Sequence, residues 1–395
     1  MKKKTLFILM LTLMLIASAL TCLVLANIYG PEIRLYRSNY SANRDYATLL
    51  RLIDEMYIGE YKTGDVADAA MRAAVAALRD NWSYYLTPEE YASFLDSMHN
   101  RFTGIGVGVI IDDETDGMRV SYTYRGSPAE TAGIVAGDVV TSIDGISLAG
   151  MTLDQITAIL ARPVGETAEL TVVRENGVIE TVTVIYDYIF TDPIAYEMLD
   201  GDVGYIDIAN FDTGAADSFI TAVDTLIEQG ARAFIYDVRS NGGGLVSEVT
   251  RMLDYLLPEG EIFISVDREG HEEITMSGPE MIDLPAVVLV DRNSYSAAEF
   301  FAAMLKEYNY AGIVGEQTTG KSRSQQTEVL PGGGALHIST AQYLTKNRVS
   351  LYDAGGLTPD YQVALTDKEM SLLMAGRLAK EEDAQLMKAI EVLGR

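Results

Sequence analysis

Four apolar runs, VGYIDIANF, ARAFIYDV, LPAVVLVD and YAGIVGE, succeed one another from Ala195 onward, with helix-patterned stretches between them. Runs this short and this uniformly apolar read as strands covered on both faces. Strands alternating with helices meet that need by forming a mostly parallel sheet flanked by helices, an α/β architecture. One of the intervening helices is expected over Ala215 to Gln229. The rest of the chain must be arranged around that sheet.

A chain of 395 residues, 48% hydrophobic, has room for two or three domains with a sizeable core. Its net charge of −27 argues against a nucleic-acid partner, because phosphate binding needs clustered Lys and Arg. The N-terminus carries three lysines followed by a nearly unbroken apolar run from Leu6 to Ala26. That length spans a bilayer as a helix with the lysines inside, which would put the remainder outside the cell membrane as a single-pass, extracytoplasmic protein. The rival is a cleaved signal, with Val24 and Ala26 before the cut. Cys22 is the only cysteine and lies in this run, so no intrachain disulfide forms.

From Ser41 to about Met98 the pattern is helical, including a helix start at Thr87-Pro88-Glu89-Glu90. From Phe102 the texture changes to strands and turns. DDETDG faintly resembles a calcium loop, but Thr123 stands at the closing position and no helices flank it, so a hairpin turn is expected. The glycines at 104, 106 and 108 precede a strand and therefore miss the dinucleotide fingerprint.

The region then runs through a short helix after Ser127-Pro128, a turn at Ala136 to Asp138, a strand to Ile143, a helix at Thr152 to Leu160 and a strand from Ala168 to Arg174. With GSPAETAG and AGDVVTSIDG, this order resembles a circularly permuted PDZ domain of bacterial proteases. The resemblance implies that Gly104, Ile105, Gly106 and Val107 form a carboxylate-binding loop, where a peptide with a free apolar C-terminus adds as a strand. At the far end, Thr366 to Glu369 is a capping box opening a C-terminal helical segment.

The only histidines are His99, His271 and His337, none of them in a motif, so neither a histidine triad nor zinc is supported. Lysine replaces histidine as a base when burial lowers its pKa. Lys321, in VGEQTTGKSRSQQ, has that company, with Gln325 four residues on. The hydroxyl would come from SYSAAE, where Ser296 precedes two alanines and a helix. The Ala297 N–H then faces a developing oxyanion, and the glycines of DVRSNGGG offer a second donor.

At these residues the chain resembles the carboxy-terminal processing peptidases, serine proteases with a helical N-terminal region, a PDZ domain and a ClpP/crotonase-like core. The family pattern SASASE stands here as Ser294 to Glu299, and GKGxxQ as Gly320 to Gln325. The resemblance implies Ser296 as nucleophile, Lys321 as general base and Gln325 as the residue orienting it, with Gln326 in reserve. It also implies Gly243 as the second oxyanion donor, with Gly244 as the alternative. Tyr295, Ser322 and Gly242 depart from the family's alanine, glycine and proline. No cofactor or metal is implied, and the terminal helical segments could pair between two chains as a homodimer.

The expected organisation is therefore an anchor over 1–30, a helical region over 31–98, a PDZ domain over 99–187, the protease core over 188–365 and a helical segment over 366–395. The rival functions are an inactive PDZ scaffold and a crotonase-like acyl-transfer enzyme. The first leaves the joint presence of Ser296, Lys321 and Gln325 without a reason; the second needs CoA outside the cell.

Overall fold

The structure is a computed structural model, described here for residues 12–14, 16, 18–21, 40, 42–112, 117–374 and 376–394. Most of the expected membrane anchor lies outside the described residues, as does the tip of the hairpin at 113–116. Among the described residues no helix is long and apolar enough to cross a membrane.

The chain divides into two compact units, residues 1–70 and 71–395. In the first, a helix over 42–56 carries an exposed Arg51–Glu55 ion pair one turn apart, at 2.6 Å. A second helix, Thr63–Ala76, begins there.

The second unit is built on the expected sheet. Its strands run in the order Ile194–Leu199, Val203–Ile208, Ala233–Asp237, Ala286–Val290, Ala311–Gly315 and Tyr361–Gln362. The first pair is antiparallel and the other four pairings are parallel. Both middle strands are buried at every residue. Because side chains alternate across a strand, Phe234, Tyr236, Val288 and Val290 enter one core with the helices Ala215–Glu228, Val246–Leu256 and Ala297–Glu307. Ala233, Ile235, Val287 and Leu289 enter the opposite core, against Leu386 and Ala389 of helix Ala384–Val392.

A second, antiparallel sheet is absent from the sequence reading. It joins Tyr84–Leu86, Ala335–Leu344, Gly260–Asp267 and Glu272–Ser277, with Arg323–Val329 also paired to Ala335–Leu344. Its first strand corrects the expectation of an unbroken helical pattern up to Met98. Tyr84, Tyr85 and Leu86 pair with His337, Leu336 and Ala335, more than two hundred residues away in sequence. A three-residue strand has no periodicity to reveal it, and only this long-range partner defines it. The helix after it, Pro88–Met98, starts as expected, with Thr87 and Glu90 forming a capping box.

The PDZ region follows its expected order: Val107–Asp112 and Gly117–Thr123, then Pro128–Thr131, Val139–Ile143, Leu153–Leu160 and Thr167–Val173, closed by Ile179–Ile185. Its sheet leaves Val107–Asp112 at one edge. Val107–Asp112 and Gly117–Thr123 pair antiparallel, as a hairpin requires. Met118, Ile143, Leu170 and Val172 are fully buried in a core separate from those of the main sheet.

The C-terminal segment is not one helix. Asp367–Met374 opens at the expected capping box, but the chain then passes through a 3₁₀ turn at Lys380–Glu382 and restarts at Ala384–Val392, capped by Asp383. The restart has a cause. Asp383 is buried and paired with Arg239, which is also buried and held by Asp237. Burial opposes the Arg239 charge, yet the two carboxylates push its pKa up. The last helix is thereby locked to the end of the strand Ala233–Asp237, just before the glycine turn.

Candidate functional site

The parallel strand Ala286–Val290 ends in a tight turn fastened by Asp291. Its Oδ1 accepts the Ser240 and Asn293 N–H groups, both at 2.9 Å, and its Oδ2 accepts the Ser240 hydroxyl at 2.9 Å. Ser294 is fully buried and donates to the Val238 carbonyl at 2.8 Å, so its hydroxyl is consumed by the turn. Ser296 lies differently. It sits at φ 59° and ψ −125°, immediately before helix Ala297–Glu307. A non-glycine residue in that region is strained, and the surrounding structure must hold it there.

Glu299 does the holding. It is fully buried, and its Oε1 accepts the N–H groups of Ser296 at 3.2 Å and of Lys321. Its Oε2 accepts the Thr318 hydroxyl at 2.7 Å and the Gly320 N–H at 2.9 Å. One carboxylate thus fastens the turn bearing Ser296 to the loop bearing Lys321. Burial raises its pKa, and the four donors pull it back. In the sequence Glu299 is the last residue of SYSAAE, and nothing local gives it a task.

Ser296, Lys321 and Gln325 line a common cavity of about 250 Å³, whose apolar wall includes Val249, Phe263 and Phe300. No hydrogen bond joins the Ser296, Lys321 and Gln325 side chains to one another. Lys321 Nζ lies 4.4 Å from the centroid of the Trp82 indole and 5.9 Å from that of Tyr295. Burial lowers the Lys321 pKa to about 8, against the opposing pull of Asp80 and Glu299. Gln325 Nε2 donates to the Arg323 carbonyl at 2.9 Å and to Ser339 Oγ at 3.0 Å, rather than to Lys321. A bulge between Ser324 and Gln325 turns Gln325 to the cavity, while Gln326 is exposed.

The glycine turn also departs from the expectation. The Gly243 N–H donates to Asn241 Oδ1 at 2.7 Å and is engaged there. Gly244, the alternative, lines the cavity together with Ala297. Gly243 still cannot be replaced. At φ 95°, a Cβ on it would stand 2.7 Å from Ser296 Cβ and 2.9 Å from the Ala297 nitrogen. Gly242 has another neighbour: a Cβ there would meet the Tyr295 hydroxyl at 2.6 Å. Two of the departures from the family pattern therefore fit one another, since the tyrosine occupies the space that a larger residue at 242 would need.

His337 also lines the cavity. It stacks on Tyr84 at 4.7 Å between centroids, and its Nδ1 lies 2.8 Å from the Thr327 hydroxyl. Burial, then the nearby Lys321 charge, lowers its pKa to about 4 and keeps it neutral. His99 and His271 make only local contacts, with the Leu95 carbonyl and with Asp267.

In the PDZ region, Gly106 at φ 76° needs to be glycine, since a Cβ would stand 2.4 Å from Ser127 Cβ. The Ile105 carbonyl accepts the Ala129 N–H at 2.9 Å and the Gly106 carbonyl accepts the Tyr124 N–H at 3.0 Å. These bonds set the loop Gly104 to Val107 at the start of the edge strand, the position from which an added peptide strand would run.

Residues 202–363 match the model of peptidase family S41, and residues 119–174 match that of the PDZ domain. A carboxyl-terminal-processing protease from Picosynechococcus is 32% identical over 338 residues, 84% of this chain and 80% of that one. The carboxy-terminal processing protease CtpA of Bacillus subtilis is 28% identical over 92% of this chain and 78% of its own. A solved structure of an S41-assigned protein from Bacteroides fragilis has the same fold, with a TM-score of 0.55 over 86% of this chain and 91% of that one, at 19% identity. With these matches over most of its length, the chain is a member of peptidase family S41, among the carboxyl-terminal processing serine proteases.

Proposed function

We propose that this S41 serine protease cleaves peptide bonds with Ser296 as nucleophile and Lys321 as general base. The observation that carries the reading is the sharing of one cavity by a serine in a strained backbone conformation at a helix N-terminus and a lysine whose pKa burial lowers to about 8. A neutral Lys321 takes the proton as Ser296 Oγ attacks the carbonyl carbon. The resulting ammonium passes that proton to the leaving amine, and water then hydrolyses the acyl-enzyme by the reverse sequence. The Ala297 N–H faces the oxyanion at the positive end of its helix. Gly243 or Gly244 supplies the second donor, Gly243 once its N–H leaves Asn241.

The side chains stand in a resting arrangement. Lys321 lies on Trp82, Gln325 bonds Ser339, and Gly243 bonds Asn241. Three groups that must turn toward Ser296 are held by other partners, which favours a protease that substrate binding brings into register. The PDZ loop Gly104 to Val107 takes the free apolar C-terminus of the substrate, and its occupation shifts the equilibrium toward the aligned state. Deleting the PDZ domain should then cripple cleavage of short peptides as well as of proteins, whereas a pure tether would spare the short peptides. Amidating the C-terminus of a good peptide should slow its cleavage, and equal rates for acid and amide would refute carboxylate recognition.

The apolar run after the N-terminal lysines supports an anchored protease with its catalytic part outside the membrane. Full-length protein should sediment with membranes and be shaved from intact cells by external protease. An N-terminus near Asn27 in the soluble fraction would favour cleavage instead.

A further inference from the structure

Trp82 is the only tryptophan in the chain, and it sits between the helical region and the strand Tyr84–Leu86. That strand pairs with Ala335–Leu344 and so brings the tryptophan over the loop of Lys321. The indole is tilted 32° from the Tyr295 ring at 5.5 Å between centroids. Tyr295 in turn rests its hydroxyl over Gly242. Gly242, Tyr295 and Trp82 therefore form a continuous wall from the glycine turn to the lysine, with the amine 4.4 Å from the indole centroid.

We propose that Trp82 is a positioning residue for the base: its indole face, braced by Tyr295, seats the Lys321 ammonium under cover, and releases the amine to Ser296 when the proton is lost. The inference rests on the reading of Lys321 as the base. An ammonium is attracted to the electron-rich face of an aromatic ring, and most strongly to tryptophan. A neutral amine is not. The same ring that attracts the cation also excludes water from it. These effects oppose one another in setting the basicity of Lys321, on top of a burial that lowers its pKa against the pull of Asp80 and Glu299. The other groups facing the amine are the Asp80 and Glu299 carboxylates and the neutral His337, while Arg323 is paired to Asp80 at 3.5 Å.

The two roles separate by substitution. Trp82→Phe keeps a cover with a weaker ring face, so the acid limb of the kcat/KM profile should shift slightly to lower pH. Trp82→Ala removes the cover, so the limb should shift upward toward that of a solvated lysine. Moving the limb by one pH unit changes the rate on the acid side about tenfold. At neutral pH, Trp82→Ala should be at least about tenfold slower and should recover in alkaline buffer, whereas a residue needed only for folding would scale the whole profile.

A second measurement needs no Trp82 variant. With a single tryptophan, the emission of full-length Ser296→Ala protein reports this site alone. It should change with pH through about 8, the Lys321 value, and the step should be absent from the Ser296→Ala/Lys321→Met protein. A missing step, or one that persists without Lys321, overturns the proposal, as does a Trp82→Ala profile superimposable on wild type. If Lys321→Ala stays active, the base assignment falls and this inference with it. If Lys321→Ala is dead and the Trp82→Ala profile is unmoved, only this inference falls.

Discussion

The two halves of the site are built by different means. Ser296 rises from the end of a fully buried parallel strand, in a turn fastened by Asp291 and by the buried Glu299 carboxylate. Lys321 reaches into the same cavity from the antiparallel side, and its neighbours Trp82 and Asp80 come from a segment distant in sequence. The serine is set by the core. The lysine is held by contacts that can be exchanged. A serine in a strained conformation needs a rigid frame, while a lysine free to pivot would provide a point of control.

The largest effects should come from breaking either half outright. Ser296→Ala and Lys321→Ala should each lower kcat/KM on a good peptide by roughly a thousandfold or more while leaving the fold intact. The wild-type profile sharpens the comparison. A protonated lysine cannot accept the serine proton, so log kcat/KM should climb with pH and level off above about 8, where burial places the Lys321 pKa. A plateau reached already at pH 6 would exclude Lys321 as the base.

Next in size is the residue that joins the halves. Glu299→Ala strands the N–H groups of Ser296, Gly320 and Lys321 and the Thr318 hydroxyl without an acceptor. Each buried group left unpaired costs about 1–3 kcal/mol, so a loss of at least about 3 kcal/mol is expected in chemical denaturation, with activity lost as well. Glu299→Gln retains an acceptor oxygen and should cost less. An alanine variant of native stability would mean that the two halves are joined by something else.

How far this division was legible follows from the same geometry. The parallel strands announce themselves because both of their faces are apolar, and the Ser296 turn is local, with strand, turn and helix all between residues 286 and 307. SYSAAE and GKSRSQ were readable as motifs for that reason. The surroundings of the base were not. Tyr84–Leu86 is too short to have a pattern and is a strand only because Ala335–Leu344 lies beside it. The lone tryptophan in NWSYYL was a signal in plain view, but nothing local ties it to Lys321. Breaks such as the one at Asp383 are also invisible locally, because a buried arginine from the turn after the strand Ala233–Asp237 fixes that cap.

Asp80 offers a smaller perturbation confined to the base half. It accepts the Ser83 hydroxyl at 2.6 Å and faces both Arg323 and Lys321. Its negative charge favours the protonated lysine, so Asp80→Asn should move the acid limb of the profile to lower pH and leave the alkaline plateau within a few-fold. The sign is the test, because a shift to higher pH would mean that Asp80 acts through packing and not through charge.

The smallest expected effect probes the seam between the halves, where Gly242 lies under the Tyr295 hydroxyl. Nothing in the backbone at Gly242 demands glycine, since it is not among the residues at positive φ. The obstacle is the far end of a flexible side chain at 2.6 Å, which can swing away at modest cost. Gly242→Ala alone should therefore cost about 1 kcal/mol or less, and should disturb the base half by displacing Tyr295 from Trp82. In a Tyr295→Ala background the clash is gone, and the same change should be neutral or stabilising by about 0.4–1 kcal/mol, because alanine restricts the unfolded chain. The two positions should thus couple by about 1 kcal/mol in a double-mutant cycle. Gly243 is the control. Its φ of 95° and its backbone contact with Ala297 are independent of Tyr295, so Gly243→Ala should be damaging in both backgrounds with no rescue. Additive behaviour at 242 and 295 would separate the tyrosine from the glycine turn and leave Trp82 as the only brace on the lysine.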